Sequence, residues 1–404
     1  MRRSTKIAAG LIASILMLTG CGTAVGSDES ASSTASPAAG STAETTTSNA
    51  SSESTTTPAA TDASTDVDWS ALPTTEVTLT DEGLAITEAG TYVLSGSSMG
   101  QVTVNTDGDV RIILSNAAIT SSVGAAIQID QAELTVIELA DGTTNTVSDA
   151  ATRSDEEIDG AIYSSDDLYI SGSGTLNVTA NFADGIVGKD NLTIDSGTIN
   201  VTSVDDGIRG TDSLTINGGT IAIDATGDGM KSSNDTDQGM GQLTITGGDI
   251  TISTGDDAIK AEQKIWVTGG TINVTQSVES IEAPVIVIDD GDITINASDD
   301  GINASTSAII TSGLNVTING GNLTIVMGEG DTDAIDSNGD LTINGGTIDI
   351  TAQSPFDYDG TGALNGGTVT VNGEQVSELT NQMMGGDMGG GQAGGGMAGG
   401  PGAR

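Results

Sequence analysis

The sequence predicts an all-β fold built as a single parallel β-helix, a solenoid with coils of about 22 residues. Three observations predict it. A phrase recurs along the chain: LTIDSGTINV at Leu192, LTINGGTIAI at Leu214, LTITGGDITI at Leu243, IWVTGGTINV at Ile265, VTINGGNLTI at Val316 and LTINGGTIDI at Leu341, with weaker copies at Leu168 and Ile286. Within a copy the apolar residues alternate, so Leu214 and Ile216 point one way and Thr215 the other, and Ile221 and Ile223 resume the alternation beyond Asn217, Gly218 and Gly219. The third observation is what the core is made of. β-branched residues dominate, no helical period is visible, and the chain holds only two phenylalanines, so burial must come from stacked Ile, Leu and Val between coils.

The elements follow in chain order. Arg2, Arg3 and Lys6 precede an apolar run over residues 7–18 that is too short to span a bilayer, and the run ends in Leu18-Thr19-Gly20-Cys21. This resembles the bacterial lipobox, so residues 1–20 are expected to be a signal peptide and Cys21 to carry lipid. Cys21 is the sole cysteine, which excludes a disulfide framework. Residues 21–68 are rich in Ser, Thr, Ala and Asp, with too little apolar surface to offset the entropy of ordering, and are expected to form a disordered tether. The β-helix is assigned to residues 69–376. The Gly/Met-rich residues 377–404 are expected to be a disordered tail.

A formal charge of −45 and the absence of histidine exclude several function classes. No Lys/Arg cluster is available for a nucleic-acid backbone. Ser-His-Asp and Cys-His catalytic sets and imidazole-ligated zinc are ruled out as well. Cations are the natural partners of such a surface.

The acidic residues are ordered by the repeat. Asp184, Asp206, Asp257 and Asp333 lie eight residues before successive strand triplets; Asp228, Glu279 and Asp300 join them once small insertions are allowed. Asp159, Asp205, Asp256 and Asp299 occupy the preceding position. Stacked coils would place equivalent carboxylates about 4.8 Å apart, where they repel. Two readings account for the column. In one, Asp-Gly is turn chemistry, with Arg209, Lys231 and Lys260 three residues on as counter-ions. In the other, divalent cations, Ca²⁺ by ligand hardness, sit between the turns. Asp235, Asp237, Asp331, Asp336 and Asp340, in two longer excursions, have spacings reminiscent of calcium loops without matching the EF-hand pattern. Trp266 and Tyr169 occupy the outward middle position of their triplets, where they are expected either to be covered by a neighbouring loop or to stack on sugar.

The entry segment ITEAGTYVLSG at Ile86, LADGTTNTVSDA at Leu139, the run DDGIRGTDSLTINGGTI and the tail MMGGDMGGGQAGGGMAGG at Met383 together resemble the bacterial polygalacturonate-binding parallel β-helix lipoproteins. The resemblance spans roughly Thr75 to Val376. It implies a right-handed β-helix similar to pectate lyases, bound Ca²⁺, and binding of acidic polysaccharide with no established catalytic role. Carried over by position, the calcium ligands would be Asp205, Asp206, Asp228, Asp256, Asp257, Asp299 and Asp300, and Glu279, lacking the doublet, breaks the series. Trp266, Tyr169, Arg209, Lys231 and Lys260 are the candidate sugar contacts. The expectation is thus a monomeric lipoprotein, held by Cys21 on the extracytoplasmic face of the cell membrane, that binds acidic polysaccharide such as pectin through calcium. Two alternatives stand beside it: a calcium-dependent polysaccharide lyase with an Arg or Lys base, and a surface scaffold or adhesin with structural calcium.

Overall fold

The computed structural model describes residues 66–328 and 332–381, all within the compact unit Pro58–Arg404. The expected signal peptide, Cys21, most of the tether, and the tail from residue 382 lie outside the described residues.

Within them the chain is all-β, with one short 3₁₀ turn at Trp69–Ala71. A typical repeat contributes three short strands. In the copy at Leu192 these are Asn191–Ile194, Thr198–Ser203 and Ile208–Gly210. Each pairs in parallel with its counterpart one repeat on: Leu192 lies opposite Leu214, Ile199 opposite Ile221, and Ile208 opposite Met230. Repetition of this register produces two long sheets. The first two strands of each repeat enter a sheet of 24, and the third enters a sheet of 12 whose spatial order follows the sequence. Neither sheet closes into a barrel. The larger sheet is continuous because Val110–Thr120 pairs with Thr135–Leu139 at its start and Thr144–Ser148 at its end, joining two ladders.

In later repeats those ladders are separated by the glycine corner. Gly219 has φ +94°, and a Cβ there would lie 2.9 Å from the carbonyl oxygen of Gly197 in the previous repeat. Only glycine meets both conditions, which is why the triplet is followed by a glycine pair. Leu214, Ile216, Ile221 and Ile208 turn inward and are buried, as members of one apolar cluster running from Leu79 to Val369. Each such side chain contributes about 1.5–3 kcal/mol on burial, so the stack needs no large aromatic centre.

Packing extends past the expected limits of 69–376. Val67 and Trp69 pack on Leu134, Val136 and Tyr169, and at the other end Leu379 packs on the main cluster while Asn381 Nδ2 donates to Tyr358 O at 2.7 Å. Glu374–Val376 folds back antiparallel on Thr368–Val371, covering that edge of its ladder. No helix of the described residues is long and apolar enough to cross a membrane.

Candidate functional site: the acidic corner

The corner between the second and third strands of a repeat reads Asp205-Asp206-Gly207-Ile208-Arg209, and each position has a separate duty. Asp205 is exposed. Asp206 is only 7% exposed, and its Oδ1 accepts the backbone N–H of Asp228, the equivalent residue one repeat on, at 2.9 Å. The same bond joins Asp206 N–H to Asp184 Oδ1 at 3.2 Å, Asp257 N–H to Asp228 Oδ1 at 3.1 Å, and Asp333 N–H to Asp300 Oδ1 at 3.1 Å. A Cβ at Gly207 would lie 2.5 Å from Gly229 O, so the next residue must be small. Ile208 enters the core and Arg209 returns to the surface.

Arg209, Lys231 and Lys260 form a register column of their own and neutralise the second oxygens of the aspartates. Arg209 Nε donates to Asp184 Oδ2 at 2.8 Å, and its Nη2 reaches Asp159. Lys231 Nζ stands 2.7 Å from Asp228 Oδ2 and 3.3 Å from Asp206 Oδ2. Lys260 Nζ stands 2.6 Å from Asp257 Oδ2 and also binds Glu282. Burial raises the pKa of Asp184 to about 7 against the pull of Arg209. Burial likewise raises Asp206, opposed by Lys231. Burial disfavours the charged forms of Arg209 and Lys231, but the adjoining carboxylates outweigh it and hold both above their ordinary values. Asp257 and Glu282 share one ammonium. Burial raises Asp257, whereas for Glu282 the Lys260 and Ser305 hydrogen bonds overcome burial and lower it, so Asp257 takes the first proton as pH falls.

Beyond Lys260 the charge of this column reverses. The register continues as Glu282, Asn303, Asp336 and Asp357, and it brings no counter-ion. Glu279 is raised to about 7 by burial and by Glu282. Burial, then the neighbouring aspartates, raise Asp336 to about 7. Asp300 is raised to about 6, chiefly by burial.

Among the described residues two carboxylate trios could hold a metal ion, each with its oxygens within 4.8 Å of one another: Asp228, Asp256 and Asp257, and Asp257, Glu279 and Glu282. Their chemistry suits a hard cation such as Ca²⁺, whose oxygen ligands lie about 2.3–2.6 Å from the ion. The first trio is approachable through exposed Asp256. In it Asp228 and Asp257 each also meet an ammonium, Lys231 and Lys260, so Asp256 is its one carboxylate without a cation partner, and the second trio holds the Lys260 ammonium between Asp257 and Glu282. Of the seven aspartates carried over as ligands, the structure therefore gathers Asp228, Asp256 and Asp257, while Asp205, Asp206, Asp299 and Asp300 fall in neither trio. Glu282 was missed by sequence reasoning. Its signal was available, since it follows the core residue Ile281 as Arg209, Lys231 and Lys260 follow Ile208, Met230 and Ile259 in other repeats.

The sugar-contact candidates separate. Tyr169 is 3% exposed and lies beneath Val67 and Trp69, so its ring is not presented to a ligand. The reason is the segment just before the first strand, which carries no repeat signal. Arg209, Lys231 and Lys260 are engaged by carboxylates, as described. Trp266 stays at the surface, half-buried, with Nε1 donating to Asp289 Oδ2 at 2.7 Å.

These features define an all-β protein of parallel strands with metal-capable acidic corners. The chain belongs to the carbohydrate-binding domain-containing protein family, whose model matches residues 80–314 and 279–381. It is 35% identical over 133 residues to a carbohydrate-binding domain-containing protein of Acetivibrio thermocellus, an overlap of 31% of this chain and 46% of the relative, so the match spans about half the relative's length. A solved structure, a gadolinium derivative of the polysaccharide lyase-like protein from C. thermocellum, is 30% identical with a TM-score of 0.47, covering 54% of this chain and 96% of that one.

Proposed function

We propose that this protein binds acidic polysaccharide of the polygalacturonate class through calcium held at its acidic corners, and that it does not cleave the polymer. The observation that carries the reading is the Asp228, Asp256 and Asp257 trio in a chain of a carbohydrate-binding family. Three carboxylate oxygens leave part of a calcium shell unfilled, and a uronate carboxylate is a harder ligand for it than the hydroxyls of a neutral glucan. The fold that suits this role is a right-handed parallel β-helix. Its support is the parallel repeat-to-repeat register and the strong preference of crossovers between parallel strands for the right hand. Surface display follows from the lipobox-like LTGC, which would anchor the chain by lipid on Cys21.

The lyase alternative needs a neutral Lys or Arg as base. Arg209, Lys231 and Lys260 are all held protonated by the carboxylates around them, with pKa values above their ordinary ones. That is the opposite of what proton abstraction requires. The test is retention of the full chain on immobilised polygalacturonate with calcium and with chelator, alongside absorbance of unsaturated products. The expected result is calcium-dependent retention with no product. Retention no stronger in calcium than in chelator would remove the bridging mechanism, absence of retention would leave a scaffold with structural calcium, and product formation would make the protein a lyase.

A further inference from the structure

The outer face of the larger sheet carries an aromatic platform away from the acidic corners. Trp266 faces outward in the first ladder, with the smaller Thr244 and Val287 on either side of it in register. Its indole ends a chain of side-chain hydrogen bonds. Nε1 donates to Asp289 Oδ2, Asp289 Oδ1 accepts from Asn319 Nδ2 at 2.7 Å, Asn319 Oδ1 accepts from Asn344 at 2.8 Å, and Asn344 Oδ1 accepts from Asn365 at 2.9 Å. A ring tethered this way is held in place before any ligand arrives. Lys264 projects from the same face two residues earlier, with Nζ 5.1 Å from the ring centroid.

Among the described residues Arg111, Arg153, Arg209, Lys231 and Lys260 all pair with a carboxylate within 4.0 Å; Lys189 and Lys264 do not, and of these two Lys264 lies over an indole. Burial lowers its pKa, opposed only by Asp289, so the ammonium gains from an added anion. A neutral sugar settling on the ring would displace the cation with nothing in return. A uronate stacks its C–H face on the indole and offers the displaced ammonium a carboxylate.

We infer that Trp266 and Lys264 form a metal-independent uronate subsite, the sugar stacking on the indole while its carboxylate accepts from Lys264 Nζ. The inference rests on the proposed polysaccharide binding and adds a second, calcium-free contact to it. The test uses the full chain with Trp69→Phe, which leaves Trp266 as the sole indole of the two in the sequence. Trigalacturonate is titrated in chelator while Trp266 fluorescence is read, and calorimetry on the wild-type chain repeats the measurement without the substitution. A saturable signal is expected, weakened about tenfold by methyl esterification or by Lys264→Met, as loss of one charge-assisted hydrogen bond implies, and restored by Lys264→Arg. No response in chelator, or equal affinity for acid and ester that is indifferent to Lys264→Met, would overturn the subsite. If the wild-type chain still binds polygalacturonate in calcium, the broader reading survives that result; if it does not, both fall together.

Discussion

Asp206 Oδ1 accepts the backbone N–H of Asp228 at 2.9 Å, across the step from one repeat to the next. The carboxylate that reads in sequence as a metal ligand thus acts first as a stand-in for a backbone carbonyl, satisfying an amide at a corner where the strand ladders are interrupted. Its other oxygen is left for a cation, and Lys231 supplies one at 3.3 Å.

The two duties can be separated by substitution. Asp206→Asn keeps an acceptor for the Asp228 amide and loses only a charge, with Lys231 still paired to Asp228. Asp206→Ala leaves that amide buried without a partner, which costs about 1–3 kcal/mol. Burial already disfavours the Asp206 charge, so urea denaturation should place Asn close to wild type and both above Ala. Equal losses in the two variants would mean that charge, and not the amide bond, sets the cost.

Much of this was legible in the repeat itself. The alternation in LTINGGTIAI placed Leu214, Ile216, Ile221 and Ile223 inward, and all four are buried. Counting back from the triplets put Asp184, Asp206, Asp257 and Asp333 at one turn position, and the hydrogen-bond series through Asp206 and Asp228 runs along it. Two features escaped because they depend on residues that spacing cannot place. Tyr169 is covered by Val67, from the end of the segment read as tether, and by Trp69, the first residue assigned to the β-helix, and neither belongs to a repeat. The reversal of charge at Glu282 is visible only when third-strand residues are aligned as a column, because there glutamate replaces Lys260 in register.

The uncompensated half of the column makes stability depend on pH in an unusual sense. Glu279 and Asp336 titrate near 7 and Asp300 near 6 in the folded chain, against unfolded values of 4.5 for Glu279 and 3.8 for the two aspartates. Between these limits the folded state binds more protons than the unfolded state, so stability falls as pH rises through the folded values. Lys231 and Arg209, raised above their ordinary values, keep their contribution throughout this window. Glu282, whose pKa is lowered, loses its contribution only as pH drops below its ordinary value of 4.5. In chelator the Tm should therefore peak near about pH 5 and decline toward pH 8. Asp336→Asn should flatten the decline, and a Tm that climbs steadily from pH 5 to pH 8 would contradict the assignment.

The glycine corner makes a separate prediction about the fold. Gly142 and Gly219 both have positive φ, +67° and +94°, but a Cβ at Gly142 meets nothing within 4 Å while one at Gly219 meets the Gly197 carbonyl at 2.9 Å. Gly142→Ala should cost roughly 1 kcal/mol, the conformational term alone. Gly219→Ala adds a backbone clash and should cost several times more, read by thermal or urea unfolding. Equal costs would mean that the stacked corner can open without penalty.

Lys260 occupies the place a metal ion would take in the second trio, and its removal tests that equivalence. Its ammonium lies between Asp257 and Glu282, with Glu279 completing the set of oxygens within 4.8 Å. Lys260→Met leaves three carboxylates facing one another with no counter-charge. With the lysine side chain 30% exposed, the expected loss lies below that of a fully buried pair, at roughly 1–3 kcal/mol in chelator. The same substitution frees a ligand set with hard-cation chemistry, so added calcium should bind the folded state and restore stability by mass action. The measurement is Tm of wild type and Lys260→Met across a calcium titration, at a pH above 8 where Glu279 is ionised. The variant should gain more from calcium than the wild type does, and Glu279→Gln in the Lys260→Met background should reduce that gain. A variant that stays equally destabilised with and without calcium would show that the trio accepts an ammonium but cannot accept an ion.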